Sequence, residues 1–264
     1  MLTQIAENLA ASALFLFAYV TAWFVASLAL HRNDVADVAW GLGPMLLSWW
    51  LVAQSGSPRT PALLLAAVLV TAWGVRLAWH VARRDFRPGV GEDARYAAWR
   101  AEWRHFVLRS YLQVFLLQGL FMLLVSMPII VLASWPVSGG SVALATGALI
   151  WLAGFGFEVI GDHQLAAYLE TPREKRPPVM DTGLWSWTRH PNYFGESVMW
   201  WGLGIIALSV PYGWIALISP MTITWLLVAV SGIPLVEQRH YGDPVWDDYR
   251  ARTSAFLPRP PARH

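Results

Sequence analysis

Residues 9–30 read LAASALFLFAYVTAWFVASLAL, a run of 22 positions without one charged side chain. A helix needs about 20 predominantly apolar residues to cross the hydrocarbon core of a bilayer, and comparable runs recur along the chain. Candidate spanning helices fall at 9–30, 36–54, 61–82, 110–133, 142–167, 194–210 and 213–231. Composition points the same way. Of the 264 residues 56% are hydrophobic and 14% charged, against about 25% charged in ordinary soluble domains. A single soluble core of this size has no room for so much apolar surface. The fold class expected is therefore all-α, a polytopic membrane protein with about seven transmembrane helices. The first run is too long for a signal peptide and lacks a basic front end, so it reads as a retained span. The sequence has no cysteine, which excludes disulfides, thiolate nucleophiles and thiolate metal ligands. A net charge of +2 is too small to argue for nucleic acid.

The distribution of charge says more than its sum. The linkers SGSPRT, SWPVSGG and SVPYG carry one charge among them, Arg59. After the third run come Arg83, Arg84, Arg87, Arg95, Arg100, Arg104 and Arg109; after the fifth come Arg173, Lys175, Arg176 and Arg189. The tail adds Arg239, Arg250, Arg252 and Arg259. Positive charge marks the cytoplasmic side, so the N-terminus is expected outside and the C-terminus in the cytoplasm. The whole chain, 1–264, reads as one membrane domain. Contacts with membrane lipids follow from the class, and the oligomeric state is not readable.

One polar run stands against lipid-like sequence: Thr188-Arg189-His190-Pro191-Asn192-Tyr193-Phe194-Gly195-Glu196 precedes SVMWWGLGIIALSV. Pro191 can open a helix, because its missing N–H is not needed in the first turn. Asn192 and Glu196 then share a face, at a helix end whose free N–H groups favour phosphate or an amide. A carboxylate one turn into such a helix is costly and usually functional. A second cluster, EQRHYGDPVWDDYRARTSAFLP, follows the last span and is amphipathic. In the N-terminal half, RNDVADVAWG opens the second span with Asp37, and WGVRLAWH places Arg76 inside the third. His31, His80, His105, His163, His190 and His240 show no paired ligand spacing, so no metal site is expected.

The combination GLW-x-x-x-RHPNY-x-GE with E-x-R-x-YG and W-x-x-Y, over roughly residues 140–260, resembles the C-terminal half of a superfamily of membrane enzymes. That superfamily includes steroid 5α-reductases, sterol C14 and C7 reductases and isoprenylcysteine carboxyl methyltransferases. The resemblance implies a cofactor pocket built between helices within 140–264, holding NADPH in the reductases and S-adenosylmethionine in the methyltransferases, with the helices of 1–139 forming the substrate side. The segments NDVADVAW and WGVRL are similar to the bacterial branch of the 5α-reductase-like proteins and extend the resemblance over nearly the whole chain. Asp37 stands where those reductases have a glutamate, preceded by Ala36, and Trp73 falls at their tyrosine position.

What the resemblance implies is a multi-pass protein of the bacterial inner membrane. It would be an NADPH-dependent oxidoreductase acting on a C=C bond conjugated to a ketone in a hydrophobic, steroid-like or isoprenoid small molecule. Hydride goes to the β-carbon while an acid polarises the carbonyl. A carboxylic acid kept neutral by an apolar site can serve. The expected catalytic residues are Asp37, Trp73 and Arg76. Cofactor contacts are expected from Arg83, Arg87, Asp162, Arg173, Lys175, Arg189, His190, Asn192, Tyr193 and Glu196. The tail would add Glu237, His240, Tyr241, Tyr249 and Arg252. The alternatives are an S-adenosylmethionine-dependent methyltransferase of a lipophilic acceptor and a non-catalytic lipid-binding membrane protein.

Overall fold

The structure, a computed structural model, describes residues 2–56, 60–87, 89–136 and 140–260, and is all-α. Arg59, the one charge expected in the weakly charged linkers, lies outside the described residues. Six helices are long and apolar enough to span a membrane: α1 (Leu2–Leu30), α2 (Val35–Gln54), α3 (Pro61–Asp85), α5 (Phe106–Val125), α7 (Ser141–Glu170) and α9 (Gly213–His240). Between them lie α4 (Ala94–Glu102), α6 (Met127–Ala133) and α8 (Pro191–Ala207), with α10 (Pro244–Arg252) closing the order. The protein is thus a multi-pass membrane protein by helix length and hydropathy. The expected sixth span corresponds to α8, which at 17 residues is shorter than those six.

Helix boundaries follow local chemistry. Thr60 caps α3 by accepting from the Leu63 N–H, and Pro61 occupies the first turn. Asp93 caps α4 through the Arg95 N–H at 2.9 Å. The expected span at 110–133 begins earlier, at Phe106, and breaks at Ser126 ahead of Pro128, whose ring and missing N–H cannot continue a helix interior. Two stretches widen to π-helix, Tyr111–Leu116 in α5 and Leu226–Val230 in α9. Past the second, Ser231 and Gly232 interrupt α9 before a short turn carries Glu237.

The chain forms two compact units. One comprises Met1–Ala143 with Ile206–Ser219, the other Leu144–Ile205 with Pro220–His264. Residues 206–219 thus belong with the N-terminal helices. In the first unit α1 buries only a narrow stripe of Ile5, Ser12, Leu16, Val20 and Ser27, and leaves Leu14, Phe17 and Val25 exposed. Such a surface suits lipid and would be an aggregation hazard in water. Helices α2 and α3 meet at Gly41 and Gly74, where a Cβ on Gly41 would lie 2.7 Å from the Gly74 carbonyl oxygen.

In the second unit the buried positions of α7 are Gly147, Trp151, Gly154, Glu158 and Gly161, a seam of period 3.5. Gly154 faces Gly195 and Met199 of α8, and a Cβ there would sit 2.6 Å from the Gly195 carbonyl oxygen. Gly161 abuts Pro191, and Gly202 abuts Gly147. Without side chains in the way the two backbones approach closely, the arrangement small residues permit in membranes. This contact brings the first turn of α8 against the end of α7.

Candidate functional site

The polar run before α8 is anchored rather than free. Thr188 and Ser254 form a parallel bridge, and the Arg189 N–H donates to the Ser254 carbonyl at 2.8 Å. The Thr188 hydroxyl donates to the Phe256 and Ala255 carbonyls, and Arg259 N–H to the Trp187 carbonyl. Tyr249 donates its hydroxyl to the Trp185 carbonyl at 2.6 Å, while the Trp185 indole donates to Gly161 at 3.0 Å. The tail is thereby stitched to the loop that enters α8.

Arg189 lies at the centre of this stitching, 5% exposed. Its Nε and Nη2 donate to Glu237 Oε1 at 2.9 and 2.8 Å. Its Nη1 donates to the carbonyls of Arg250 and Thr253. The guanidinium is spent on protein acceptors, so the phosphate fork expected of it is a structural clamp instead. His190 is also buried, with Nε2 3.1 Å from the same Glu237 oxygen and its ring stacked on Tyr193 at 5.3 Å. Burial holds the imidazole below its ordinary range, more than the Glu237 carboxylate raises it, so His190 is neutral at neutral pH. As the neutral form it donates through Nε2 to the carboxylate.

As expected, Pro191 opens a helix. In its first turn Asn192 donates through Nδ2 to Asp162 Oδ1 at 3.1 Å, and its own oxygen accepts from the Tyr193 N–H. Beside these residues is a cavity of about 270 Å³. Of the residues expected to hold a cofactor, Arg189, His190, Asn192, Tyr193, His240 and Tyr249 line it. Asp162 and Glu237 stand behind the lining, each bonded to a lining residue. Glu196 is half-buried one turn further into α8, and Tyr241 is exposed. Arg173 and Lys175 are exposed and outside the lining, and Arg252 is paired with Asp181 at 2.7 Å and Asp248 at 3.1 Å.

The sequence reading missed the cavity's flat walls: Tyr168, Trp185 and Trp246, the last stacked on His240 at 4.3 Å. It also missed Asp243 in the lining and Glu158, 3% exposed on the glycine seam. The seven-residue spacing of Gly147, Gly154 and Gly161 was the available signal for Glu158. Trp185 and Trp246 stand in the GLW and W-x-x-Y motifs without having been expected as cofactor contacts, and Tyr168 lies in neither.

In the first unit, Asp37 accepts from the Tyr96 hydroxyl at 2.6 Å and from Arg95 Nη2 at 2.8 Å. Arg95 is oriented in turn by Asp93 at 2.9 Å. Both Asp37 oxygens thus receive hydrogen bonds, which is the arrangement of a carboxylate rather than of a neutral acid. Tyr96 is 5% exposed, and burial, then the Asp37 carboxylate, raises its hydroxyl well above its ordinary pKa. The hydrogen bonds from Arg95 outweigh the burial of Asp93 and lower its carboxyl below the usual range.

Segment 90–100 is fastened around this group. Arg32 donates to both Asp34 oxygens and to the carbonyls of Asp85 and Gly91, and Glu92 accepts from Arg100 and from the Asn33 N–H. Of the other residues expected here, Trp73 is fully buried and Arg76 half-buried on α3, while Arg83 and Arg87 are exposed. Neither Arg95 nor Tyr96 was expected as a partner of Asp37. Among the described residues no group of three or more His, Asp or Glu side chains is placed to hold a metal.

Residues 23–253 match the family described as a protein of unknown function, DUF1295, and the chain belongs to that family. No curated protein and no solved structure matches the chain.

Proposed function

We propose an NADPH-dependent reductase of a C=C bond conjugated to a ketone in a hydrophobic molecule. The observation that carries it is the Tyr96–Asp37–Arg95 group, in which Tyr96 is buried and Asp37 and Arg95 are half-buried. A carbonyl gaining negative charge during reduction needs a donor that is already in place. Tyr96 has one hydroxyl proton, given to Asp37 in this structure; in the proposed reaction the hydroxyl turns from the carboxylate to the substrate oxygen, with Arg95 still balancing the Asp37 charge. Because its pKa is raised, Tyr96 holds its proton and acts as a hydrogen-bond donor to the oxygen rather than giving the proton up.

The cavity of the second unit suits the adenosine half of the cofactor, with Trp246, His240 and Tyr168 as flat walls and Asn192 and Asp243 as polar contacts. NADPH, when bound, supplies the hydride. Arg173 and Lys175, exposed on the loop between α7 and α8, are cations available for its phosphates. The orientation that goes with this reading has the arginine-rich loops and the C-terminus in the cytoplasm of a bacterial cell.

The test is NADPH oxidation by purified protein over a panel of lipophilic enones. Tyr96→Phe should lower kcat about 100-fold, the cost of losing one preorganised donor, with KM for NADPH unchanged. Turnover undiminished in Tyr96→Phe would remove this group from the chemistry.

A second reading, transfer of a methyl group from S-adenosylmethionine to a lipophilic acceptor, is favoured by the charge of the same cavity. Its only guanidinium among the lining residues is neutralised by Glu237, while Asp243 and several aromatic faces remain. Such walls suit a sulfonium cation better than phosphates.

A further inference from the structure

A groove of about 520 Å³ runs along the first unit at the start of α5, lined by Phe24 of α1 with Arg104, His105, Leu108 and Tyr111 among its other walls. Its floor is fixed. The Phe24 ring packs on Tyr111 at 4.7 Å and on Phe115 at 5.4 Å, and the Tyr111 hydroxyl is 3.0 Å from that of Thr21. Its apolar wall is open: Val107 and Leu108 are more than half exposed, and Leu28 and Leu112 are exposed nearby. The groove therefore continues the lipid-facing surface of two spanning helices, at the end where α5 begins.

The charge at this end is not spent in the way it is on the neighbouring segment. Arg100 is consumed by Glu92 and lies over the Phe106 ring. Arg109 lies over Trp103, which stacks on Trp99. Arg104 is exposed and has no carboxylate partner among the described residues, and His105 beside it makes no side-chain capping bond. The one acid close in sequence, Glu102, is exposed and outside the lining. An open hydrocarbon groove headed by an uncompensated guanidinium, at the mouth of a spanning helix, complements one class of molecule. It has an acyl chain for the groove and a net negative phosphate headgroup for the cation.

We propose that this groove is a binding site for an anionic phospholipid, with Arg104 on the phosphate and one acyl chain over Phe24, Leu108 and Tyr111. The site is independent of the cofactor cavity and of the reaction proposed above. A basic residue facing an anionic headgroup contributes about fivefold in affinity, and that sets the expected size of the effect.

The experiment is native mass spectrometry of detergent-purified protein titrated with phosphatidylglycerol or phosphatidylcholine. Arg104→Gln, Leu108→Trp and Arg83→Gln are compared with the parent, Arg83 being an exposed arginine outside the groove. The expected result is preferential retention of phosphatidylglycerol, reduced about fivefold by Arg104→Gln. Leu108→Trp should reduce it by filling the groove without changing charge, and Arg83→Gln should leave it intact. Equal retention of the two lipids by the parent overturns the proposal, as does an equal loss in Arg104→Gln and Arg83→Gln. Unchanged retention in Leu108→Trp would show a surface charge effect and overturn it too.

Discussion

At the scale of single residues, what matters is which charges are already committed. Arg189 and Glu237 are 48 positions apart and both buried, and together with His190 they form one compact group at the cavity wall. Breaking such a pair from one side leaves a buried charge uncompensated, so the clamp has to be built whole. His190 carries the pH dependence of this group. Its folded-state pKa lies below the ordinary value of about 6.5 because burial outweighs the Glu237 carboxylate. The unfolded chain therefore takes up the proton first as the pH falls. Stability from this residue is full above about pH 6.5 and is lost on acidification below it. Thermal unfolding in detergent should show the fall in Tm between about pH 7 and 5 reduced in His190→Asn. An undiminished fall in that variant would mean that other groups carry it.

At the scale of elements, the helices were legible and their partners were not. Six of the expected spans coincide with six long apolar helices, and the remaining one, the sixth, with α8, whose start at Pro191 follows from proline's place in a first turn. Hydrophobic run length needs only local information. The α5–α6 break depended on reading Pro128 as a stop rather than as part of an apolar run. Asp37 could be singled out from its position at the head of α2, but Arg95 and Tyr96 lie 58 and 59 residues away, across a loop whose fold no period announces. The Arg189 sequence context suggested an anion site because its carboxylate partner, Glu237, is delivered by an interruption of α9. The glycine seam of α7 was readable and carries a clean expectation. Gly154→Val would drive a side chain into the α8 backbone, and size-exclusion chromatography should show loss of monodisperse protein. Gly156→Ala, on the same helix with open space around it, should be tolerated or slightly stabilising, by about 0.5–1 kcal/mol. Equal behaviour of the two variants would count against the close helix contact.

At the scale of the whole molecule, composition decides the class and charge decides the proposed orientation. The absence of cysteine makes the orientation directly measurable. Gly56→Cys and Lys175→Cys place single thiols on a weakly charged linker and on an arginine-rich loop. In intact cells an impermeant maleimide should label the first and not the second; the reverse pattern would invert the proposed topology.

The central claim is that this cavity takes NADPH. Calorimetric titration of the detergent-purified protein with NADPH and, separately, with S-adenosylmethionine tests it most directly, with Asn192→Ala as the control. The account predicts saturable NADPH binding that Asn192→Ala weakens, and no comparable binding of S-adenosylmethionine. Binding of S-adenosylmethionine alone would contradict the reductase reading and transfer the site to methyl transfer; binding of neither would leave the cavity without an adenosine cofactor.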